Sequence, residues 1–432
     1  MMLAGSETQT LIREAQLVVR EVRARSGLAQ AWELLQERDA DGKATGALPY
    51  TDAALAALDT AQANAPDDIG LLHHAAIAHH ARAWDFELRT DPRAAAEWAL
   101  ALNLWYRLAT SQEFRTGLEA KLLTCDPNAD PAPLHEALQT LLDNLLAVHS
   151  DFIRQYAEAD ELQRARTHVE TVERTQFPSE AKERFVARVF EMLTGAVPEA
   201  KATQAYAPAL TAIERFLSLF PQHLTALRLH AEVCKDWAGS LSYQDHWPEI
   251  EQLGGRARPF AARIEAHPQL AHDALARTAL EELAYVFVDR ASDRGAYYLS
   301  INSTAPDPAL VKRDKGRTAF RFAIEWARLG RRHSPPGSPV SGLLTYSLHF
   351  QAIDQRAEAI ETMNAELDTS AGVTSKMRVD AALRLYHAAI TDLEEALDAT
   401  PADEDVRGRL QKYRDELVDL EAEKNLILLR GL

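Results

Sequence analysis

Along most of this chain the apolar positions recur at alternating spacings of three and four, the period of one buried helix face. The segment 54–109 shows the pattern most clearly. Ala54, Leu58 and Ala61 share a face, Pro66 stops the helix, and Asp67-Asp68 stand where the next one begins. Carboxylates there suit the positive end of a helix dipole. Helices are predicted over Ile69–Trp84 and Pro92–Leu108. In the second, Ala94, Trp98, Ala101, Trp105 and Leu108 form one stripe with two indoles. Upstream, Glu7–Arg25 and Leu28–Glu37 read as helices, and the Gly- and Asp-rich stretch 39–46 breaks the second.

The same periodicity continues downstream. It predicts helices over Pro131–Tyr156, Leu162–Val172, Ser179–Leu193, Pro248–Ile264, Ala271–Val288 and Arg317–Arg332. A helix carrying Leu224, Leu227, Leu229 and Val233 follows Pro221. The helix Asp403–Leu429 has a heptad-like seam of Val406, Leu410, Tyr413, Leu417, Leu420 and Ile427, interrupted by Lys424. Strand signals are nearly absent; only Ala284–Val288 fits a strand as well as a helix end. The fold class expected is all-α. The organisation expected is an N-terminal helical region 1–130, a central one 131–288, an irregular loop 289–316 and a C-terminal region 317–432.

A small–large–small triplet followed by proline occurs three times: Ala54/Leu58/Ala61/Pro66, Ala209/Ile213/Phe216/Pro221 and Ala389/Leu393/Ala396/Pro401. These resemble the second helix of a tetratricopeptide repeat. The first-helix half of that motif (Trp, then Leu-Gly, then Tyr) has no clean counterpart, and the instances fall off its period of about 34 residues. The resemblance implies a right-handed helical-hairpin solenoid of degenerate tetratricopeptide-like repeats, with the C-terminal helix as a cap.

Composition narrows the function classes. A 432-residue chain with 47% hydrophobic and 26% charged residues is ordinary for a folded protein. Its net charge of −17 disfavours nucleic acid and anionic membrane surfaces, which need a basic field. No apolar run approaches the roughly 18 residues of a membrane span. The N-terminus lacks the basic-then-apolar order of a secretion signal. Cys125 and Cys234 read as buried free thiols of a cytoplasmic protein.

Several patterns could carry chemistry. Arg317, Arg321, Arg328 and Arg332 fall within about 60° of one another on a helix, a stripe that could grip an acidic peptide or phosphate, or pair with acids of the adjacent helix. Tyr297 and Tyr298, in the segment expected to be irregular, could anchor a partner or tuck a loop onto neighbouring helices. His73-His74 and His79-His80 lack the i, i+4 spacing of helical metal ligands and read as core or surface residues. Gly254-Gly255 reads as a hinge or cap, and Ser338 belongs to a rigid Pro-rich linker. Neither cysteine has a neighbouring His in sequence that would mark it as a nucleophile.

His272-Asp273 matches the pair used by all-α metal-dependent phosphohydrolases, which makes such an enzyme the alternative. No phosphate loop, nucleophile elbow, zinc-helix motif or dinucleotide fingerprint is present, so no catalytic residue, metal or cofactor is expected. The leading expectation is a cytoplasmic scaffold that binds a protein or peptide, an acidic segment among the candidates, through the four arginines and two tyrosines. Self-association through the C-terminal helix is a further expectation.

Overall fold

The computed structural model describes residues 68–125, 127–128, 130–300, 304–335, 337–365 and 374–429. The first small–large–small triplet and the two N-terminal helices lie outside them. The regular structure of the described residues is all helical, with no strand among them. Ala284–Val288 is helix interior. The chain divides into two compact units between Gly195 and Ala196.

The first unit contains α1 (Ile69–Leu88), α2 (Ala94–Thr110), α3 (Gln112–Cys125), α4 (Ala132–Glu158), α5 (Leu162–Arg174) and α6 (Ser179–Thr194). Helices α1 and α2 form a hairpin whose turn carries Thr90 at φ 55°, and the α4–α5 turn carries Asp160 at φ 63°. The α2 stripe is buried as its spacing requires: Ala94, Trp98, Ala101, Trp105 and Leu108 are all core residues. Helix α4 packs against α5 and α6, and α2 packs on both α4 and α5.

The second unit contains α7 (Val197–Ala202), α8 (Tyr206–Leu219), α9 (Leu224–Ser240), α10 (Trp247–Glu265), α11 (Ala274–Leu299), α12 (Ala309–Arg331), α13 (Pro339–Asn364), α14 (Ser375–Ala399) and α15 (Glu404–Leu429). Each helix packs against the next, the consecutive pairing of an all-α solenoid. The two remaining triplets both sit on faces buried by this packing. Ala209, Ile213 and Phe216 are buried against α9, and Ala389, Leu393 and Ala396 are fully buried in α14.

Alternate helices also run side by side. Helices α9, α11 and α13 are parallel neighbours: Lys235 pairs with Glu282, Arg290 reaches the Gly239 carbonyl, and the Ser292 and Ser347 hydroxyls bond at 2.9 Å. On the other layer, ion pairs join α10 to α12 and α12 to α14 at one constant displacement of 67 residues. Helix α11 lies in the middle and is buried on most of its circumference, which is why its sequence shows so little one-sided patterning.

The segment expected to be irregular, 289–316, is mostly helix. Helix α11 continues to Leu299 and α12 begins at Ala309, so the connection is much shorter. Sequence patterning missed the extension because residues 289–299 are polar yet largely buried between helices. Gly254 and Gly255 are likewise helix interior rather than a hinge. A side chain at Gly254 would meet the Phe322 ring, so the glycine lets α12 approach α10. At Gly295 a Cβ would stand 2.7 Å from the Phe320 ring. Helix α15 packs on α14, burying Val406, Leu410, Tyr413 and Leu420, and Lys424 leaves the seam to pair with Asp380 at 2.8 Å.

Gly295→Leu overpacks the α11–α12 contact and is expected to cost about 1–3 kcal/mol. Urea unfolding of the full chain should show the transition of the second unit move to lower denaturant while that of the first holds its midpoint.

Candidate functional site

The arginine stripe faces acids of the same chain. Arg317 Nε donates to Asp354 and its Nη2 to Glu358, both on α13. Arg328 forks onto Glu395 of α14 at 2.8 and 2.5 Å, and Arg332 Nη1 donates to Glu265 of α10 at 2.6 Å. The neighbouring Arg313 binds Asp354 at 3.1 Å and Glu361 at 2.6 and 2.9 Å, and Lys315 binds Asp307 at 2.9 Å. Arg321 is exposed and makes no ion pair among the described residues. The partners of Arg317 lie 37 and 41 residues away and those of Arg328 and Arg332 lie 67 away, which explains why sequence proximity hid them.

The two tyrosines are part of α11 rather than of a loop. Tyr298 is buried, its ring between the Arg294 guanidinium at 5.0 Å and the Lys315 ammonium at 5.3 Å. Tyr297 is half-buried with its ring edge-on to Tyr298 and to Tyr243. Arg294 also covers Trp247 and donates to the Tyr243 carbonyl at 2.9 Å. Such cation–π stacking fixes the end of α11 on the neighbouring helices.

The histidines of the first unit enter a buried network. His79 binds Glu97 at 2.7 Å, and His73 packs edge-on to Trp105 and Phe114. His80 accepts from the Trp84 indole at 3.0 Å and lies against Trp98. A relay runs from Arg164 to the Tyr156 hydroxyl at 2.8 Å and from that hydroxyl to Glu87. His168 Nε2 stands 3.3 Å from Glu87, and its Nδ1 stands 3.1 Å from His149 Nδ1.

If His168 Nε2 donates to Glu87, its Nδ1 accepts from His149 Nδ1–H, and His149 is left with a bare Nε2. That nitrogen is buried without a partner. The arrangement suits a neutral His149, and burial holds its pKa well below the ordinary histidine value, helped by the charges of His168 and His80. Burial lowers His80 to about 4. Sequence spacing gave no sign of this cluster, because its members come from four helices.

In the second unit a Cys–His–Glu alignment has the outline of a nucleophile triad. His230 Nδ1 is 3.7 Å from Cys234 Sγ, and its Nε2 is 3.1 Å from Glu214, which Arg256 grips at 2.6 and 2.7 Å. Phe260 stacks on the imidazole. Cys234 is 0% exposed, and burial pushes its thiol far above the usual range, aided by the Glu214 charge. A thiol closed to substrate and held protonated is a packing residue. Its histidine partner sits four residues before it on one helix, a pairing that sequence inspection overlooked. The side chain of Cys125 lies outside the described residues.

Asp273 has a structural task. Its Oδ1 accepts from the Ala276 amide at 2.9 Å and caps α11, while His272 is exposed beside it. Among the described residues no group of three His, Cys, Asp or Glu side chains is placed to hold a metal. No described helix is long and apolar enough to cross a membrane.

The described residues also form a concave surface in each unit. In the first unit a cleft of about 510 Å³ lies among α2, α4 and α6, floored by Leu138, Leu142 and Phe177. Its rim side chains pair with one another, Arg184 with Asp143 at 3.4 Å and His135 with Glu119 at 2.5 Å. In the second unit a groove of about 340 Å³ runs between α9, α11 and the start of α13, walled by Tyr285, Val286, Pro339 and Val340. Tyr285 is 39% exposed, as is Tyr346 further along α13. Thr278, Glu282, Tyr285, Asp289 and Asp293 continue that stripe along α11 at helical spacing.

A scan against protein-family models gives no match for this chain, and a search of curated proteins gives no significant match.

Two outcomes are expected. Arg328→Ala breaks an exposed pair and should cost less than about 1 kcal/mol. Arg317→Ala removes two acceptors' partner, one of them the buried Asp354, and should cost about 1–3 kcal/mol in the same urea titration. Separately, His80 and His149 have folded pKa values below their unfolded ones. Their contribution is complete above about pH 6.5 and is lost as pH falls toward 4. Tryptophan-monitored unfolding of the first unit should lose up to roughly 1.4 kcal/mol per pH unit per histidine in that window. His149→Gln should flatten the dependence.

Proposed function

We propose that this chain is a non-catalytic interaction scaffold of tetratricopeptide-like helical hairpins, working in the cytoplasm, that holds a segment of a partner protein. The observation that carries the reading is the groove beside α11, where Tyr285 stays exposed on a layer of parallel helices, with Tyr346 exposed beyond it on α13. Tyrosine suits such a role, since it offers a large rigid contact at small entropic cost and keeps a polar tip in water. The titratable clusters support the same reading from the other side: Cys234 is sealed, Asp273 caps a helix, and the histidine relay is closed in the core.

The partner contact belongs at this groove rather than on the arginine stripe. Three of the four guanidinium groups there are held by carboxylates of adjacent helices, and Tyr298 is buried under two cations.

The test is affinity capture from native lysate with the tagged full chain and its Tyr285→Ala/Tyr346→Ala variant, quantified by mass spectrometry. A protein retained in stoichiometric amount by the parent and depleted on the variant is the expected result. Equal retention on both would remove the groove from the account, and an empty eluate from the parent would remove the scaffold.

A further inference from the structure

The groove beside α11 carries information about its occupant, because an apolar wall adjoins an acidic stripe. Tyr285 and Val286 from α11 face Pro339 and Val340 from α13, and Lys235, Glu281 and Glu282 complete the lining. The apolar wall can take one apolar side chain of an extended or helical segment. Beyond the groove the α11 stripe is acidic. Asp289 and Asp293 follow Tyr285 along it, four residues apart, where like charges repel each other on a helix.

Of the cations within reach, Lys235 is held by Glu282 at 2.8 Å and stands 3.8 Å from Asp236. Arg290 donates to the Gly239 carbonyl at 2.7 Å and acts on Asp293 through its charge without forming an ion pair. Asp289, Asp293 and Glu281 make no ion pair among the described residues. This contrasts with the α10–α12–α14 layer, where arginines and carboxylates meet one to one at a fixed displacement. The chain therefore neutralises one layer with its own side chains and leaves the other with surplus negative charge.

Aromatic surface lies next to that surplus. Tyr346 projects from α13 with its ring 4.7 Å from Phe350, one residue before the Ser347 that bonds to Ser292 of α11. The charge of Asp293 reaches the Tyr346 hydroxyl, whose pKa is raised by burial and by that carboxylate. The Asp293 carboxyl is itself held above its ordinary value, by burial and by Asp289, against the pull of Arg290. A positive group placed between Tyr346 and the two aspartates would gain both carboxylate and ring-face attraction and would relieve their mutual repulsion.

We infer that the groove beside α11 receives a basic segment of a partner protein, seating an apolar side chain between Tyr285 and Val340 and its lysines or arginines against Asp289, Asp293 and Tyr346. The inference rests on the scaffold reading and adds the sign of the partner's charge. That sign is opposite to the one an unpaired arginine stripe would have selected. Association would be steered by the acidic field and weakened by salt.

Fluorescence anisotropy with the full chain tests it, using three short labelled peptides that share one Leu/Phe pattern and differ in their flanking residues: Lys, Glu or Gln. The lysine peptide is expected to bind at least about tenfold more tightly than the other two, and to weaken steeply with added salt. Asp289→Asn/Asp293→Asn should remove most of that preference, and Tyr285→Ala should weaken all apolar-anchored binding. Neither aspartate is buried in the core, and Asn keeps the side-chain shape of each, so the Asn variant is expected to fold, which a thermal melt verifies. Tight binding of the glutamate or glutamine peptide that depends on Tyr285 overturns the basic partner and leaves the scaffold standing. Lysine-peptide binding that survives the Asn variant unchanged, or no binding by any peptide, overturns the inference; the capture experiment then decides the scaffold independently.

Discussion

Everything described in the second unit depends on one constraint: each helix must bury apolar surface against the next in sequence and against the next but one. A helix with a single stripe can satisfy the first demand only. Helix α11 satisfies both by being apolar or small over most of its girth, with Leu280, Leu283, Phe287 and Val288 on one side and Ala276, Ala284, Ala291 and Gly295 where neighbours come closest. The small residues let α12 and α13 pack at the distance their own side chains require, and Phe320 then fills the space over Gly295.

The charged residues follow from that geometry rather than causing it. Once α10, α12 and α14 lie side by side, an arginine and a carboxylate at matching heights meet, and four pairs do so at the same displacement. Exposed pairs of this kind contribute little stability each. Their effect is on alternatives: sliding α10 by a turn along α12 would separate its two pairs at once and bring Arg258 toward Arg321 or Arg328.

This explains what could be read from the residues alone and what could not. Helix positions and the buried Trp98–Trp105 stripe were legible because a 3.6-residue period is local. The continuation of α11 through Tyr297 and Tyr298 was not, since polar residues such as Ser292 and Arg294 are buried there by contacts to α13 and to the 241–247 turn. The arginine stripe was correctly placed on one helix face, yet the acids that meet it come from three other helices. The histidine relay and the groove likewise draw on residues far apart in the chain, so neither leaves a spacing to detect.

The turns of these hairpins have a consequence for how the groove can change over generations. Thr90, Asp160 and Gln204 all adopt positive φ without being glycine, at 55°, 63° and 60°. An L-residue there carries about 1–2 kcal/mol that glycine would not. The strain lies in the α1–α2, α4–α5 and α7–α8 connections, none of which lines the groove beside α11. A lineage therefore holds an unspent reserve. Relaxing the turn at Gln204 would offset a costly exchange at Tyr285 or Tyr346, so the partner-facing surface can be rewritten while its unit stays folded.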